Sequence, residues 1–195
     1  IYITETGNKR IQKFDKDFNF LKSFGESGTN YGQITNPFSI TLDSNENIYI
    51  TDSVLQKILI YDSDNSFIKE WNTMDNAQNE EIQITDIKIY NDLVFGVNSN
   101  NSKVYVYDLE GAYITDFGNF GYGINNFDEP FGLTIDKDGL IYVADTYNHR
   151  VVIYRYENNN FIYKDHFLTG DYTPTSIEVN DFKTVYILDS TKNGI

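Results

Sequence analysis

The sequence predicts an all-β protein assembled from repeated four-stranded antiparallel sheets. A short apolar triplet recurs along the whole chain. The segments around each triplet either alternate between apolar and polar residues or are continuously apolar, and both patterns are typical of strands. Aromatic residues make up 16% of the 195 residues, with 16 Tyr and 14 Phe, which is typical of strand-rich chains. No segment of useful length has the period of a helix.

The apolar triplet sets the length of the repeat. Its five copies begin at residues 1, 48, 93, 141 and 185, so the steps between them are 47, 45, 48 and 44 residues. The copies are Ile1-Tyr2-Ile3, Ile48-Tyr49-Ile50, Leu93-Val94-Phe95, Ile141-Tyr142-Val143 and Val185-Tyr186-Ile187. A period of this length exceeds that of leucine-rich and ankyrin repeats and matches a four-stranded propeller blade.

A turn signal follows each triplet. An acid or amide stands two or three residues after it, Thr or Ser usually comes next, and a base stands five residues after the acid. Such short polar side chains bond the backbone amides just ahead of them, and we expect the base within reach of the carboxylate. The residues assigned to this structural turn are Glu5, Arg10, Asp52, Lys57, Asn98, Lys103, Asp145, Arg150 and Asp189. Only the fifth copy departs, with Gly194 in place of the base.

The strands before and after the turn have separate signatures. The strand before each triplet alternates strictly, with small residues on one side that suit the crowded place where blades converge. The strand after the turn is apolar on both faces in most copies, which predicts cover from neighbouring sheets. Pro37, Pro130 and Pro174 each stand three residues before the first apolar position of the alternating strand, where a missing N–H is tolerated.

The fourth copy resembles an NHL repeat. Its segments 130–136, 140–146 and 148–151 follow the pattern of that family, including the Asn-His pair at Asn148-His149. Members of the family usually form six-bladed β-propellers, and they include partner-binding modules, RNA-binding domains, secreted proteins and an amidating lyase. The resemblance therefore implies the fold and leaves the function open.

We expect a single propeller segment over residues 1-195, an incomplete part of a six-bladed ring with about four blades present. The expected blades cover residues 1-24 (partial), 38-71, 85-117, 131-167 and 175-195 (partial). Strands counted in this way total 17, whereas six blades need 24. An open arc leaves sheet edges exposed, which favours a larger chain or assembly.

Composition and charge disfavour several function classes. The formal charge of −14 repels a phosphate backbone and argues against nucleic-acid binding. The absence of Cys excludes disulfides and thiolate metal sites, and two His residues cannot form a three-histidine zinc site by themselves. No apolar run approaches the roughly 20 residues that span a bilayer.

No catalytic residue or metal ligand is assigned. His149 falls in a turn that other residue types fill in the other copies, and no phosphate-binding loop or nucleophile elbow is present. Ca²⁺ is a candidate ligand of the recurring acids, although the turn role is favoured. The alternative function is a metal-dependent propeller enzyme of the lyase or lactonase type. Its site would lie at the central channel and use acids such as Asp86 and Glu178.

The long loops between blades carry aromatic and amide side chains, a mixture that suits partner recognition unless the aromatics pack over their own blade. The predicted partner-binding residues are Asn30, Tyr31, Phe120, Tyr122, Asn125, Phe127 and Asp128. We expect a non-enzymatic binding or scaffold propeller that recognises a protein or a glycan through one face. The acidity and a glycosylation sequon at residues 100–102 favour a secreted or cell-surface location.

Overall fold

The computed structural model describes residues 1–76 and 78–190, and their regular structure is β apart from one 3₁₀ turn at Thr6–Asn8. The chain divides into two compact units, Ile1–Asp92 (unit 1) and Leu93–Ile195 (unit 2). Most strands lie in antiparallel sheets, several of them four-stranded. The all-β prediction is therefore confirmed. Within the described ranges no helix is long and apolar enough to cross a membrane.

In unit 1, a three-stranded sheet made of β1, β2 and β3 precedes a four-stranded sheet made of β6 to β9. The strands are β1 (Tyr2–Glu5), β2 (Arg10–Phe14), β3 (Phe20–Phe24), β4 (Glu26–Ser27), β5 (Gln33–Ile34), β6 (Pro37–Leu42), β7 (Ile48–Asp52), β8 (Lys57–Tyr61), β9 (Phe67–Asn72), β10 (Met74–Asp75), β11 (Glu80–Glu81) and β12 (Asp86–Tyr90). The short strands β4 and β5 pair in parallel inside the loop between the two sheets. Strands β10 and β11 form a small antiparallel pair after the second sheet.

Unit 2 repeats this organisation. Its strands are β13 (Leu93–Asn98), β14 (Lys103–Asp108), β15 (Tyr113–Phe117), β16 (Gly132–Ile135), β17 (Leu140–Asp145), β18 (Arg150–Glu157), β19 (Asn160–Leu168), β20 (Pro174–Val179) and β21 (Val185–Asp189). Strands β13 to β15 are neighbours in one antiparallel sheet, β16 to β19 form a complete four-stranded sheet, and β20 pairs with β21. The last expected blade, 175-195, is described only as far as Ser190, so Gly194 lies outside the described residues.

The two middle strands of each complete sheet form the core. Every residue of β7 and β8 is buried, whereas the outer strand β9 is half-buried or exposed. Burial of β8 on both faces agrees with its continuously apolar sequence, whereas β2, the less apolar copy, is mostly half-buried. One core cluster of unit 1 consists of Ile11, Ile34, Ile48, Ile50, Leu59 and Tyr61.

The strands that carry the alternating pattern approach one another closely within each unit. A Cβ atom at Gly132 on β16 would lie 2.8 Å from the carbonyl oxygen of Thr175 on β20. In unit 1, Ser39 Oγ on β6 donates a hydrogen bond of 2.6 Å to Asp86 on β12. Small or short polar residues are therefore needed here, as the sequence predicts.

Candidate binding surface

Antiparallel connectivity brings the turns and the long loops to one end of each sheet. In a four-stranded meander the first strand begins, the second ends, the third begins and the fourth ends at the same side. In unit 2 this side collects loop 118–129, turn 145–150 and loop 169–173. We call these three segments the loop end of unit 2.

Loop 118–129 has a counterpart in unit 1, loop 25–36, displaced by 93 residues in sequence. Each loop opens with a glycine at positive φ, 90° at Gly25 and 103° at Gly118. A Cβ atom on Gly25 would clash with Ile34, and a Cβ atom on Gly118 would clash with Phe127, which is the equivalent position of its loop. Both apolar residues are completely buried, so each loop folds around its own small core.

A buried ion pair fastens loop 118–129 to the sheet. Arg150 Nε donates to Asp145 at 2.7 Å, and a terminal guanidinium nitrogen donates to the carbonyl oxygens of Gly123 at 2.8 Å and Asn126 at 3.0 Å. Asp145 also accepts the backbone N–H of Asp128 at 2.7 Å. The Asp145 side chain is fully buried and that of Arg150 is only 4% exposed. Turn 145–150 and loop 118–129 are therefore joined by a buried ion pair and several hydrogen bonds.

The ionisation of Asp145 reflects opposing influences. Burial raises the pKa of its carboxyl above the usual range, while hydrogen bonds from Asp128, Asn148 and Arg150 act in the opposite direction. Burial likewise raises the pKa of Tyr154, whose hydroxyl donates to the carbonyl oxygen of Ile124 in the same loop. Both groups hold the loop rather than face solvent.

Two lysines differ from the expected pairing of base and turn acid. Lys57 pairs with Glu70 at 2.7 Å, and Lys103 pairs with Asp116 at 3.1 Å, in both cases on the neighbouring outer strand. Asp52 instead accepts four backbone N–H groups, which occupy both of its oxygens. The arginines keep the expected partner: Arg10 pairs with Glu5 and Arg150 with Asp145.

Asn98 and Asp189 also accept backbone N–H groups, Asn98 from its own turn and Asp189 from the preceding loop. Asn98 accepts the backbone N–H of Asn101 at 2.9 Å. Asp189 accepts the backbone N–H of Thr173 at 3.1 Å, and so ties loop 169–173 to β21. In three copies the acid of the turn thus anchors the loop that precedes its own sheet.

The hydroxyl residue after the turn acid has a longer reach than the sequence suggests. In three copies its side chain donates to the carbonyl oxygen of the proline about 30 residues ahead, whereas Ser53 donates to the carbonyl oxygen of Asn36 at 3.4 Å. The three pairs are Thr6 with Pro37 at 2.8 Å, Ser99 with Pro130 at 2.7 Å and Thr146 with Pro174 at 2.9 Å. The hydroxyl and the proline are therefore two halves of one link between successive sheets of a unit.

The structure separates the predicted partner-binding residues into exposed and buried groups. Phe120 and Tyr122 are 73% and 65% exposed, Tyr31 is 70% exposed, and Asn30 and Asn125 are also exposed. Asp128 is half-buried.

Phe127 differs from the other predicted partner-binding residues because it is fully buried. Its ring packs edge-on against Phe117 and Tyr154, with ring centroids 5.3 Å and 6.1 Å apart. We therefore leave Phe127 out of the surface.

Tyr122 is held by the same arginine that fastens the loop. The guanidinium carbon of Arg150 lies 5.0 Å from the centroid of the Tyr122 ring, within cation–π range. Ile124 and Tyr147, which the sequence analysis does not single out, are 54% and 55% exposed beside it in the loop end. Their exposure depends on which side of a loop or turn they occupy, and the repeat pattern does not specify this.

Each histidine has a hydrogen-bonding partner at its Nδ1 atom. Nδ1 of His149 lies 3.0 Å from the carbonyl oxygen of Tyr172, and Nδ1 of His166 lies 2.7 Å from the Tyr163 hydroxyl. Both side chains are exposed. Within residues 1–76 and 78–190, no group of three or more His, Asp or Glu side chains is arranged to hold a metal ion.

An apolar cavity of about 340 Å³ lies beside the loop end of unit 2. Its lining residues are Phe167, Leu168, Thr169, Tyr172, Ile187 and Asp189. Sequence analysis does not identify it, because it forms between β19 and β21, which are distant in sequence.

Comparison with known proteins finds a family match in one segment and similarity to two curated proteins. The model of the NHL repeat matches residues 127–154, the segment that contains Asp145, Asn148 and Arg150. Protein brain tumor from Drosophila melanogaster is 23% identical over 144 residues, 72% of this chain and 13% of that protein. NHL repeat-containing protein 3 from Homo sapiens is 30% identical over 84 residues, 37% of this chain and 24% of that protein.

Residues 127–154 of this chain match an NHL repeat. Solved structures support the same fold for its sheets. Virginiamycin B lyase from Staphylococcus aureus has a TM-score of 0.69 at 15% identity, covering 96% of this chain and 59% of that one. A gluconolactonase from Xanthomonas campestris has a TM-score of 0.70 at 11% identity, covering 96% and 65%. The four-stranded sheets of this chain are thus β-propeller blades, and the chain spans less than two thirds of each protein named here.

Proposed function

We propose that this chain is a non-enzymatic binding module that contacts a protein or glycan through the loop end of unit 2. The observation that carries the proposal is the exposure of Phe120 and Tyr122 at the surface of a loop whose interior is buried. Large aromatic side chains at a protein surface are the residues that most often dominate binding energy. Ile124 and Tyr147 extend the same surface.

The fastening of the loop supports this role. Arg150 bonds two loop carbonyls, Tyr154 bonds a third, and Asn148 Nδ2 donates to the carbonyl oxygen of Gly121 at 2.8 Å. A surface held in place before binding loses little conformational freedom when a partner arrives, and affinity rises accordingly. The loop is thus built to present its aromatics rather than to cover a site.

The equivalent loop of unit 1 offers a smaller version of the same surface. Tyr31 is exposed and packs edge-on against Phe67, with ring centroids 5.1 Å apart. The backbone N–H of Gly32 donates to Glu70 at 3.0 Å, which anchors this loop as Arg150 anchors the other. We propose Asn30 and Tyr31 as a separate candidate contact site on unit 1.

Site-specific photo-crosslinking in the native host tests the proposal. A photoreactive phenylalanine analogue replaces Phe120 or Tyr122 in the natural full-length protein. A matched control carries it at Phe182, which is 89% exposed in the hairpin at the other end of the unit 2 sheets. The expected result is an adduct with the same partner from both loop positions and no such adduct from position 182. Equal crosslinking from all three positions would contradict the proposal.

The location of the protein belongs to the same proposal. The side chain of Asn100 in the sequon is exposed, as attachment of a glycan requires, and the acidic surface suits an extracellular protein. We therefore propose that the protein is secreted or displayed at the cell surface. Protease treatment of intact cells tests this: loss of the protein is expected, and full protection contradicts it.

A further inference from the structure

The loop end of unit 2 has an unbalanced charge. Within its described residues the one strong cation is Arg150, which is buried against Asp145; Lys103 lies in the turn that borders this end, and its ammonium pairs with Asp116. Glu129 and Asp171 are exposed, and Asp128 is half-buried. None of these three acids forms an ion pair with another described residue. The exposed formal charge of the loop end of unit 2 is therefore negative.

We infer that the partner of this surface is a cationic polypeptide segment, with Lys or Arg residues flanking an apolar side chain. This inference rests on the proposed function and names the chemistry of its partner. The apolar side chain would pack on Phe120 and Tyr122, while the cationic groups would face Glu129 and Asp171. The net charge of −14 on the whole chain strengthens the attraction at long range.

Charge also favours a basic polypeptide over a glycan. A neutral glycan can donate hydroxyl hydrogen bonds to the carboxylates but gains no charge–charge attraction from them, and an acidic glycan is repelled by them. A basic segment gains from them and is drawn in at a rate that falls with added salt. The same charges disfavour acidic proteins and nucleic acids as partners.

A peptide-display selection tests the inference directly. A library of random peptides is selected on the wild-type chain and depleted on the Phe120→Ser/Tyr122→Ser double variant, which changes only exposed side chains. We expect the selected peptides to carry a net positive charge together with an aromatic or aliphatic residue. Selected peptides that are neutral or acidic, or the absence of any peptide that discriminates the two chains, would overturn the inference.

Matched charge variants then measure the electrostatic part. The best selected peptide is titrated against Glu129→Gln/Asp171→Asn and against Glu157→Gln/Asp181→Asn, which removes two acids from the other end of the unit 2 sheets. We expect about three- to tenfold weaker binding for the first variant and less than about twofold change for the second. Equal effects of the two variants would overturn the inference.

A glycan array run in parallel separates this inference from the proposed function. If a neutral glycan binds, depends on Tyr122 and ignores Glu129→Gln/Asp171→Asn, the cationic partner is wrong and the binding surface stands. If crosslinking from Phe120 and Tyr122 fails as well, the proposed function fails independently of the charge argument.

Discussion

Replacing Arg150 by Ala removes the side chain that joins loop 118–129 to its sheet. The change leaves the Asp145 carboxylate fully buried without its cation and leaves the carbonyl oxygens of Gly123 and Asn126 without their donor. Breaking a buried ion pair by removing one partner costs about 3–5 kcal/mol. The two hydrogen bonds to carbonyl oxygens are lost with the same side chain, so their contributions do not simply add to the ion-pair penalty. We expect the free energy of unfolding of unit 2 to fall by roughly 4 kcal/mol or more.

Two further variants calibrate this value. Arg150→Lys keeps the positive charge and loses the planar fork that reaches two carbonyls, so we expect an intermediate loss of about 2 kcal/mol. Arg155→Ala removes an arginine from the same strand whose contact with Glu157 is 3.6 Å long and partly exposed. Surface pairs of this kind contribute about 0–1 kcal/mol, which makes Arg155→Ala the matched control.

Urea unfolding and amide hydrogen exchange measure the effect at two levels. Urea unfolding gives the change in the free energy of unfolding of unit 2. Hydrogen exchange of the amides in residues 118–129 shows whether the loop is released from the sheet. We expect Arg150→Ala to accelerate exchange throughout the loop. If Arg150→Ala costs no more than Arg155→Ala, or if the loop amides keep their protection, the account of the buried network is refuted.

Three further predictions concern a hydrogen bond between sheets, a close backbone approach and the ionisation of a buried tyrosine. Thr146→Val removes the hydroxyl that bonds the carbonyl of the next proline, so urea unfolding should show a loss of about 1–2 kcal/mol, against less than about 0.5 for exposed Thr29→Val. Gly132→Ala should lower the melting temperature of unit 2, since its Cβ would press on neighbouring backbone, whereas Gly7→Ala has open space and should leave unit 1 nearly unchanged. Burial raises the pKa of Tyr61 from 10.0 to about 12, so its stabilising effect should be complete below pH 10 and lost as the pH rises through about 12. Tyrosinate absorbance of wild type minus Tyr61→Phe follows this titration, and ionisation near pH 10 would contradict it.

Local patterns carried the prediction of the strands. The triplets, the turn acids and the prolines each act on residues close in sequence, so their positions specify strand, turn and strand start without knowledge of the whole fold. Asp52 and Asp145 occupy the turns assigned to them, and Pro37 and Pro174 begin β6 and β20. The close approach at Gly132 also follows from the small residues of the alternating strand.

Contacts between distant residues could not be predicted in the same way. The sequence treats Phe120 and Phe127 alike, yet one faces solvent and the other fills the interior of the loop. The pairing of Lys57 with Glu70 depends on the neighbouring strand and on the saturation of Asp52 by backbone N–H groups. In each case the partner is fixed by strand register and loop folding rather than by spacing along the chain.

Affinity for the crosslinked partner tests the central claim most directly. The purified partner is titrated against the wild-type protein, the Phe120→Ser/Tyr122→Ser variant and a Phe182→Ser control, with equal urea midpoints confirming that all three are folded. If the partner binds the loop end of unit 2, the double variant binds at least about tenfold more weakly than wild type. The Kd of the control is then unchanged. An unchanged Kd for the double variant, or an equal loss in the control, would show that the partner binds elsewhere.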